Sequence, residues 1–205
     1  MMKVLLINGS PHKEGNTFIA LKEVSETLRM LGDEAETVWI GNRPVHGCIA
    51  CGSCAKTGKC AFDDDVMPEI LAKAAEANGI VVGSPVYYAG PNGALCAVLD
   101  RMFYSGGRFL QRKPSAAVAV CRRGGASSTF DRLNKYFTIN NMPVVPSQYW
   151  NIVYGRAPGE ASLDAEGLQT MRTLARNMHW MLHGLESGRE ESVNPEPVER
   201  TNFIR

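Results

Sequence analysis

An open, parallel α/β sheet is the fold class that this sequence predicts. Three observations carry it. Short aliphatic runs alternate with helical-period segments along the chain, the first run is almost continuously apolar, and no internal repeat, low-complexity tract or linker interrupts the alternation. A strand buried on both faces reads as a continuous apolar run, so the first strand belongs inside a parallel sheet.

The elements follow in order. Lys3 to Asn8 is the first strand, and Leu21, Val24, Leu28 and Leu31 recur at helical spacing up to a stop at Gly32. Glu36 to Ile40 reads as the second strand. A cysteine-rich segment follows, then a helix with Val66, Ile70, Ala74 and Ala77 on one face, ended by Asn78-Gly79. Ile80 to Val82 is the third strand, Leu95, Val98 and Met102 mark a helix, and Ala116 to Cys121 is the fourth strand. Phe130, Leu133 and Phe137 mark the next helix. A fifth strand is expected to begin over Met142 to Val145, where Pro143 and Pro146 blur its bounds. The last helix carries Leu168, Met171, Leu174, Met178, Met181 and Leu185, with Ser162 as the expected N-cap and Gly184 near its end. After Gly188 all periodicity stops. The chain therefore divides into a domain over 1–187 and a tail over 188–205, a surface segment or an arm onto a neighbouring subunit.

Composition narrows the function classes. The 205 residues are 44% hydrophobic and 21% charged, enough to bury a core and too apolar for disorder. Lys+Arg 22 against Asp+Glu 21 leaves a formal net charge of +1, which argues against a nucleic-acid partner. No apolar run approaches the roughly 20 residues of a membrane span, and the start turns polar too early for a secretory signal. A cytoplasmic, soluble protein without membrane partners is expected. Four of the six cysteines cluster at Cys48, Cys51, Cys54 and Cys60, which suits a metal or cluster better than disulfides; Cys96 and Cys121 read as core residues.

In open α/β sheets ligands bind beyond the carboxyl ends of the strands, where strand order reverses. The loop after the first strand is Asn8-Gly9-Ser10-Pro11-His12-Lys13-Glu14-Gly15-Asn16-Thr17, leading into a helix. It is neither a Walker A loop nor G-x-G-x-x-G. Free N–H groups at a helix start attract a phosphate, with Ser10, His12, Asn16 and Thr17 as added side-chain donors. The alternative is an ordinary capped turn. Pro85, Val86, Tyr87 and Tyr88 after the third strand offer a rigid apolar platform for a flat heteroaromatic ring. After the fourth strand, Arg122 and Arg123 supply charge, and Gly124 and Gly125 allow close backbone approach.

Together, Gly9-Ser10-Pro11 with Gly15-Asn16-Thr17, and Gly83-Ser84-Pro85-Val86-Tyr87, resemble the flavodoxin-like NAD(P)H-dependent FMN reductases over about residues 2–185. The resemblance implies a three-layer sandwich with a five-stranded parallel sheet in the order 2-1-3-4-5. It implies FMN with its phosphate on Ser10, His12, Gly15, Asn16 and Thr17. Pro85, Val86, Tyr87 and Tyr88 would border the ring, and Arg122, Gly124 and Gly125 would close its other edge. NAD(P)H would be the reductant and a small molecule such as a flavin or quinone the acceptor. No side chain is needed as general acid or base, so no catalytic residue is nominated.

The cysteines read C-x2-C-x2-C-x5-C, whose first half matches the ferredoxin run. The pattern is similar to that of iron–sulfur flavoproteins of the same superfamily, which implies a [4Fe–4S] cluster and a ferredoxin-like protein partner. A zinc site and unligated thiols remain open readings, and with zinc a non-catalytic regulator. His179 and His183 stand i, i+4 with no third ligand evident in the sequence, so solvent-facing histidines are expected. Asp63-Asp64-Asp65 is expected to cap the helix that follows. Tyr104, Phe109, Tyr149, Trp150, Tyr154, Trp180 and Phe203 suggest oligomerisation, and the resemblance implies a homodimer or homotetramer.

Overall fold

Strand β1 (Lys3–Asn8) sits at the centre of the architecture because its side chains alternate between two cores. Val4 and Leu6 pack on one face with α1 (Asn16–Met30) and α6 (Ala165–Ser187). Leu5 and Ile7 pack on the other with α3 (Met67–Glu76), α4 (Gly93–Leu110) and α5 (Ala126–Ile139). All four side chains are fully buried. Two apolar layers around one sheet make the three-layer sandwich. The computed structural model describes residues 1–187, and the expected tail over 188–205 lies outside the described residues.

The remaining strands are β2 (Glu34–Trp39), β3 (Gly79–Tyr87), β4 (Gly90–Pro91), β5 (Ser115–Cys121) and β6 (Ile152–Tyr154). The parallel path runs β2-β1-β3-β5-β6, and β4 turns back antiparallel on β3. Counted over the parallel strands alone, this is the expected order 2-1-3-4-5. The order reverses at β1, which pairs β2 on one side and β3 on the other.

Three expectations need correction, and one element is new. The fifth strand is Ile152–Tyr154; in the expected stretch only Val144 makes an isolated bridge, to Ser115. Pro143 and Pro146 lack the N–H groups that a continuous ladder requires. The last helix is capped by Asp164, whose Oδ1 accepts the Gly167 N–H at 2.9 Å; Ser162 lies in a 3-10 turn over Glu160–Leu163. A short helix, α2 (Ser53–Thr57), rises inside the cysteine segment. The third strand continues through Pro85 to Tyr87, so the aromatic platform forms the end of a strand and a tight hairpin. Among the described residues no helix is long and apolar enough to cross a membrane.

Candidate functional site

The first loop is held by buried Asn8, whose Oδ1 accepts the Ser10 N–H at 3.1 Å while its Nδ2 donates to the Lys13 carbonyl at 3.1 Å. Ser10 Oγ accepts the His12 N–H, and Trp39 Nε1 donates to the Ser10 carbonyl at 2.7 Å. Gly15 then enters α1 in extended conformation. No side chain caps the helix and no acidic residue stands in its first turn. The open N–H groups and the positive end of the dipole face the loop. Thr17 is buried in that first turn and His12 is exposed. The Asn16 amide, expected as a side-chain donor, is held elsewhere: it donates to the Ala157 carbonyl at 2.9 Å and accepts the Ala161 N–H at 3.2 Å. Asn16 can therefore offer its backbone N–H to an anion while its side chain ties the loop after β6 to the site.

Three loops meet in one crevice through two glycine contacts. Gly9 donates its N–H to the Gly83 carbonyl at 2.8 Å, and a Cβ at Gly9 would stand 2.5 Å from Leu95 Cδ2. Gly125 has φ +86°, and a Cβ there would stand 2.7 Å from Ala89 Cα. So Gly9 joins the first loop to β3, and Gly125 joins the start of α5 to the β3–β4 hairpin. Arg122 and Arg123 lie exposed beside this junction, with Gly124 open to solvent.

The hairpin itself is unusual. Tyr88 and Ala89, its two central residues, both have positive φ, 49° and 59°. Such turns favour Asn and Gly. Tyr88 is fully exposed and Tyr87 is 47% exposed, while Pro85 and Val86 are half-buried. Ser84 Oγ accepts the Asn92 N–H at 2.9 Å, and Asn92 in turn caps α4 through the Ala94 N–H at 2.8 Å. The start of α4 is thus closed where the starts of α1 and α5 are open.

Cys48, Cys51, Cys54 and Cys60 line one cavity of about 290 Å³ with Phe62, Arg101 and other residues. Cys48 and Cys51 are exposed, and Cys54 and Cys60 half-buried. Ala50, between the first two, has φ 53°, and Gly52 and Gly58 bound α2 with φ 69° and 72°.

Sequence reasoning missed the residue that organises this segment. Arg101, on α4, is 1% exposed. It pairs with Asp65 and donates Nε to Cys60 Sγ at 3.2 Å, NH2 to the Phe62 carbonyl at 2.8 Å, and NH1 to the His46 carbonyl at 3.3 Å. Burial alone would push the Asp65 carboxyl up, but hydrogen bonds from Arg101 and from the Met67 and His46 N–H groups outweigh it and hold it below its ordinary value. For Arg101, burial works against the charge, and Asp65 and Cys60 more than restore it. The Asp65 carboxylate does meet the start of α3, as expected, through the Met67 N–H at 3.0 Å. The only sequence signal for Arg101 was a lone arginine among the apolar positions of a helix.

Cys96 and Cys121 differ from the cluster. Burial raises both thiols above their ordinary value; Cys121 is buried as expected, whereas Cys96 is only half-buried. His179 and His183 are partly exposed, as expected of solvent-facing histidines, but both also contact buried Asp33, at 2.7 and 3.0 Å.

Comparisons with known proteins agree with this geometry. Residues 2–157 match the family described as NADPH-dependent FMN reductase. An iron–sulfur flavoprotein of Methanocaldococcus jannaschii is 37% identical over 185 residues, covering 86% of this chain and 95% of the relative. Another, from Methanosarcina thermophila, is 33% identical and covers 93% of this chain and 100% of that one. The fold is shared with an NAD(P)H:quinone oxidoreductase from Methanothermobacter marburgensis, at TM-score 0.67 and 17% identity over 86% of this chain and 96% of that one. It is shared also with a WrbA-like flavodoxin from Agrobacterium tumefaciens, at TM-score 0.64 and 15% identity over 89% and 99%. With the crevice at the strand-order reversal and a match over most of its length, the chain belongs to the NADPH-dependent FMN reductase and iron–sulfur flavoprotein family, a family of flavoprotein oxidoreductases.

Proposed function

We propose that this protein oxidises NAD(P)H through FMN held in the crevice and passes the electrons to a small acceptor such as a flavin or quinone. The observation that carries this reading is the uncapped start of α1 at the strand-order reversal, behind a loop that Gly9 lets press against β3. The residues fit the cofactor. Ser10, His12, Gly15, Thr17 and the Asn16 backbone surround the place for a terminal phosphate, where N–H donors and the helix dipole favour an anion. Pro85, Val86, Tyr87 and Tyr88 give the ring an apolar border, and Gly124 and Gly125 leave backbone room at its other edge. FMN, when bound, supplies the hydride acceptance and electron release, so the protein's task is position and electrostatics. The Arg122 and Arg123 charges favour electron density on a neighbouring ring.

For the cysteine cavity we propose a [4Fe–4S] cluster. Four thiols share the cavity, and Arg101 places a buried positive charge and an N–H donor against one of them. That cluster supports a second reading: a one-electron carrier for a ferredoxin-like protein partner. Exposed Tyr104, Phe109, Tyr149, Trp150, Tyr154 and Trp180 favour a homodimer or homotetramer, to be read by light scattering; Phe203 lies outside the described residues.

One experiment separates the readings. Anaerobically purified protein is expected to show flavin and four irons per chain, and prompt bleaching of the flavin by NADPH. A bleaching rate near zero, with electrons accepted instead from reduced ferredoxin, would make the protein a carrier. Absence of flavin with stoichiometric zinc would make it a metal-binding regulator.

A further inference from the structure

We propose that Asp33, His179 and His183 form a binding site for a borderline divalent transition metal such as Zn²⁺. The site lies at the end of the sheet opposite the flavin crevice. Asp33 immediately precedes β2 and accepts the backbone N–H of Met2, just before β1. Both histidines project from one face of α6, because an i, i+4 spacing stacks side chains one turn apart. The same spacing serves zinc ligands on helices elsewhere.

The three donors already converge. His179 Nδ1 lies 2.7 Å from Asp33 Oδ2, and His183 Nε2 lies 3.0 Å from Asp33 Oδ1. All three ligand atoms fall within 4.8 Å of one another, and the two rings stand 4.3 Å apart. Ligand atoms around a tetrahedral zinc ion are about 3.3 Å apart for bonds of about 2.0 Å. The ion therefore enters if the rings withdraw by a few tenths of an ångström and present lone pairs where they now donate protons.

Burial defines the site's two sides. The Asp33 side chain is 1% exposed, whereas those of His179 and His183 are 30% and 42% exposed. The carboxylate forms a fixed floor and the imidazoles a mouth open to solvent, through which a metal can enter and keep a water ligand. Oδ2 is the natural donor to the metal, since Oδ1 also holds the Met2 N–H and so orients the carboxylate. Two imidazoles and one carboxylate suit zinc, nickel or cobalt better than magnesium or calcium, which take oxygen ligands. A metal here would fasten the C-terminal half of α6 to the starts of β1 and β2, at a distance from the thiols.

The test measures Zn²⁺ binding to the full chain by equilibrium dialysis, with crystals soaked in the same ion for anomalous scattering. One zinc equivalent should persist in the Cys48→Ser/Cys51→Ser protein. Its affinity should fall at least about tenfold in His183→Gln, a half-exposed position whose change leaves the core intact, and likewise in His179→Gln. An anomalous peak should stand between Asp33 and the two rings, and zinc should raise the melting temperature of the Cys48→Ser/Cys51→Ser protein but not once His183→Gln is added to it. Zinc binding that follows the cysteines alone, or crystals without density beside Asp33, would overturn the proposal and leave the three residues as a hydrogen-bonded strut.

Discussion

The crevice and the cysteine segment are built by different means. The crevice is made of strand ends, so its walls inherit the rigidity of buried β1, β3 and β5, and two glycine contacts lock its loops. The cysteine segment has one short helix and half-exposed thiols, and hangs on a single buried cation. Sheet geometry suffices to place a phosphate against backbone N–H groups. Aiming four side-chain sulfurs from a loop requires a dedicated anchor, and Arg101 is that anchor.

The largest expected effect tests this difference. Arg101→Ala leaves Asp65 buried without its partner and removes the donors to Cys60, Phe62 and His46. Breaking such a pair costs about 3–5 kcal/mol, measurable by urea unfolding. Iron content should fall below a quarter of the wild-type value while the folded fraction still binds FMN. Arg101→Lys should not restore the iron, since an ammonium has three donors where the planar fork serves four acceptors. Loss of flavin and iron together would mean that the two regions are one unit.

Next comes Gly9→Ala, directed at the crevice. The new methyl would meet Leu95 Cδ2 at 2.5 Å and the Gly83 carbonyl at 2.8 Å. The carbonyl is backbone and cannot yield as a side-chain tip can. Overpacking of this kind costs about 1–3 kcal/mol, and FMN affinity should drop by about tenfold or more in a fluorescence titration. Iron content should stay unchanged, the converse of Arg101→Ala.

These contrasts also explain what could be read from the chain and what could not. The strand order and the three loops were legible because alternation, apolar runs and Gly/Ser/Pro signals are local. Arg101–Asp65 was not, because its partners are brought together only when α4 packs under the cysteine segment, and Asp65 alone reads as a helix cap. The same holds for Asp33 and the two histidines, which lie at opposite ends of the described chain. The fifth strand was misplaced because Ile152–Tyr154 is only three residues long, too short for any period to show. The site's fourth wall, Gly155 to Ala161, escaped notice because its link to Asn16 spans more than 140 positions.

A smaller effect concerns pH. Asp65 is held below its ordinary value of 3.8 in the folded protein. The contribution of its charge is therefore fully present above that value and is lost as pH falls through the lower folded pKa. Retention of iron should be flat from neutrality to about pH 5 and decline on further acidification. Asp65→Asn should bind less iron at neutral pH and show a flatter acid profile; an acid profile identical to wild type would detach the cysteine segment from this ion pair.

The smallest expected effect asks whether the crevice stores strain. Tyr88 and Ala89 both occupy the left-handed region, where a Cβ costs about 1–2 kcal/mol. Ala89→Gly removes that cost at one residue and, allowing for the added freedom of the unfolded chain, should stabilise the protein by about 0.5–1 kcal/mol. For a chain of this size that is about 1–4 °C in melting temperature. The hairpin should persist, because Val86–Pro91 and Tyr87–Gly90 still pair. Flavin affinity then decides what the strain does. If it falls as stability rises, the alanine holds Tyr88 and the Gly125 contact in the pose that the ring requires. If it is unchanged, the left-handed pair is only the geometry of a two-residue turn, and the platform owes its position to β3 alone.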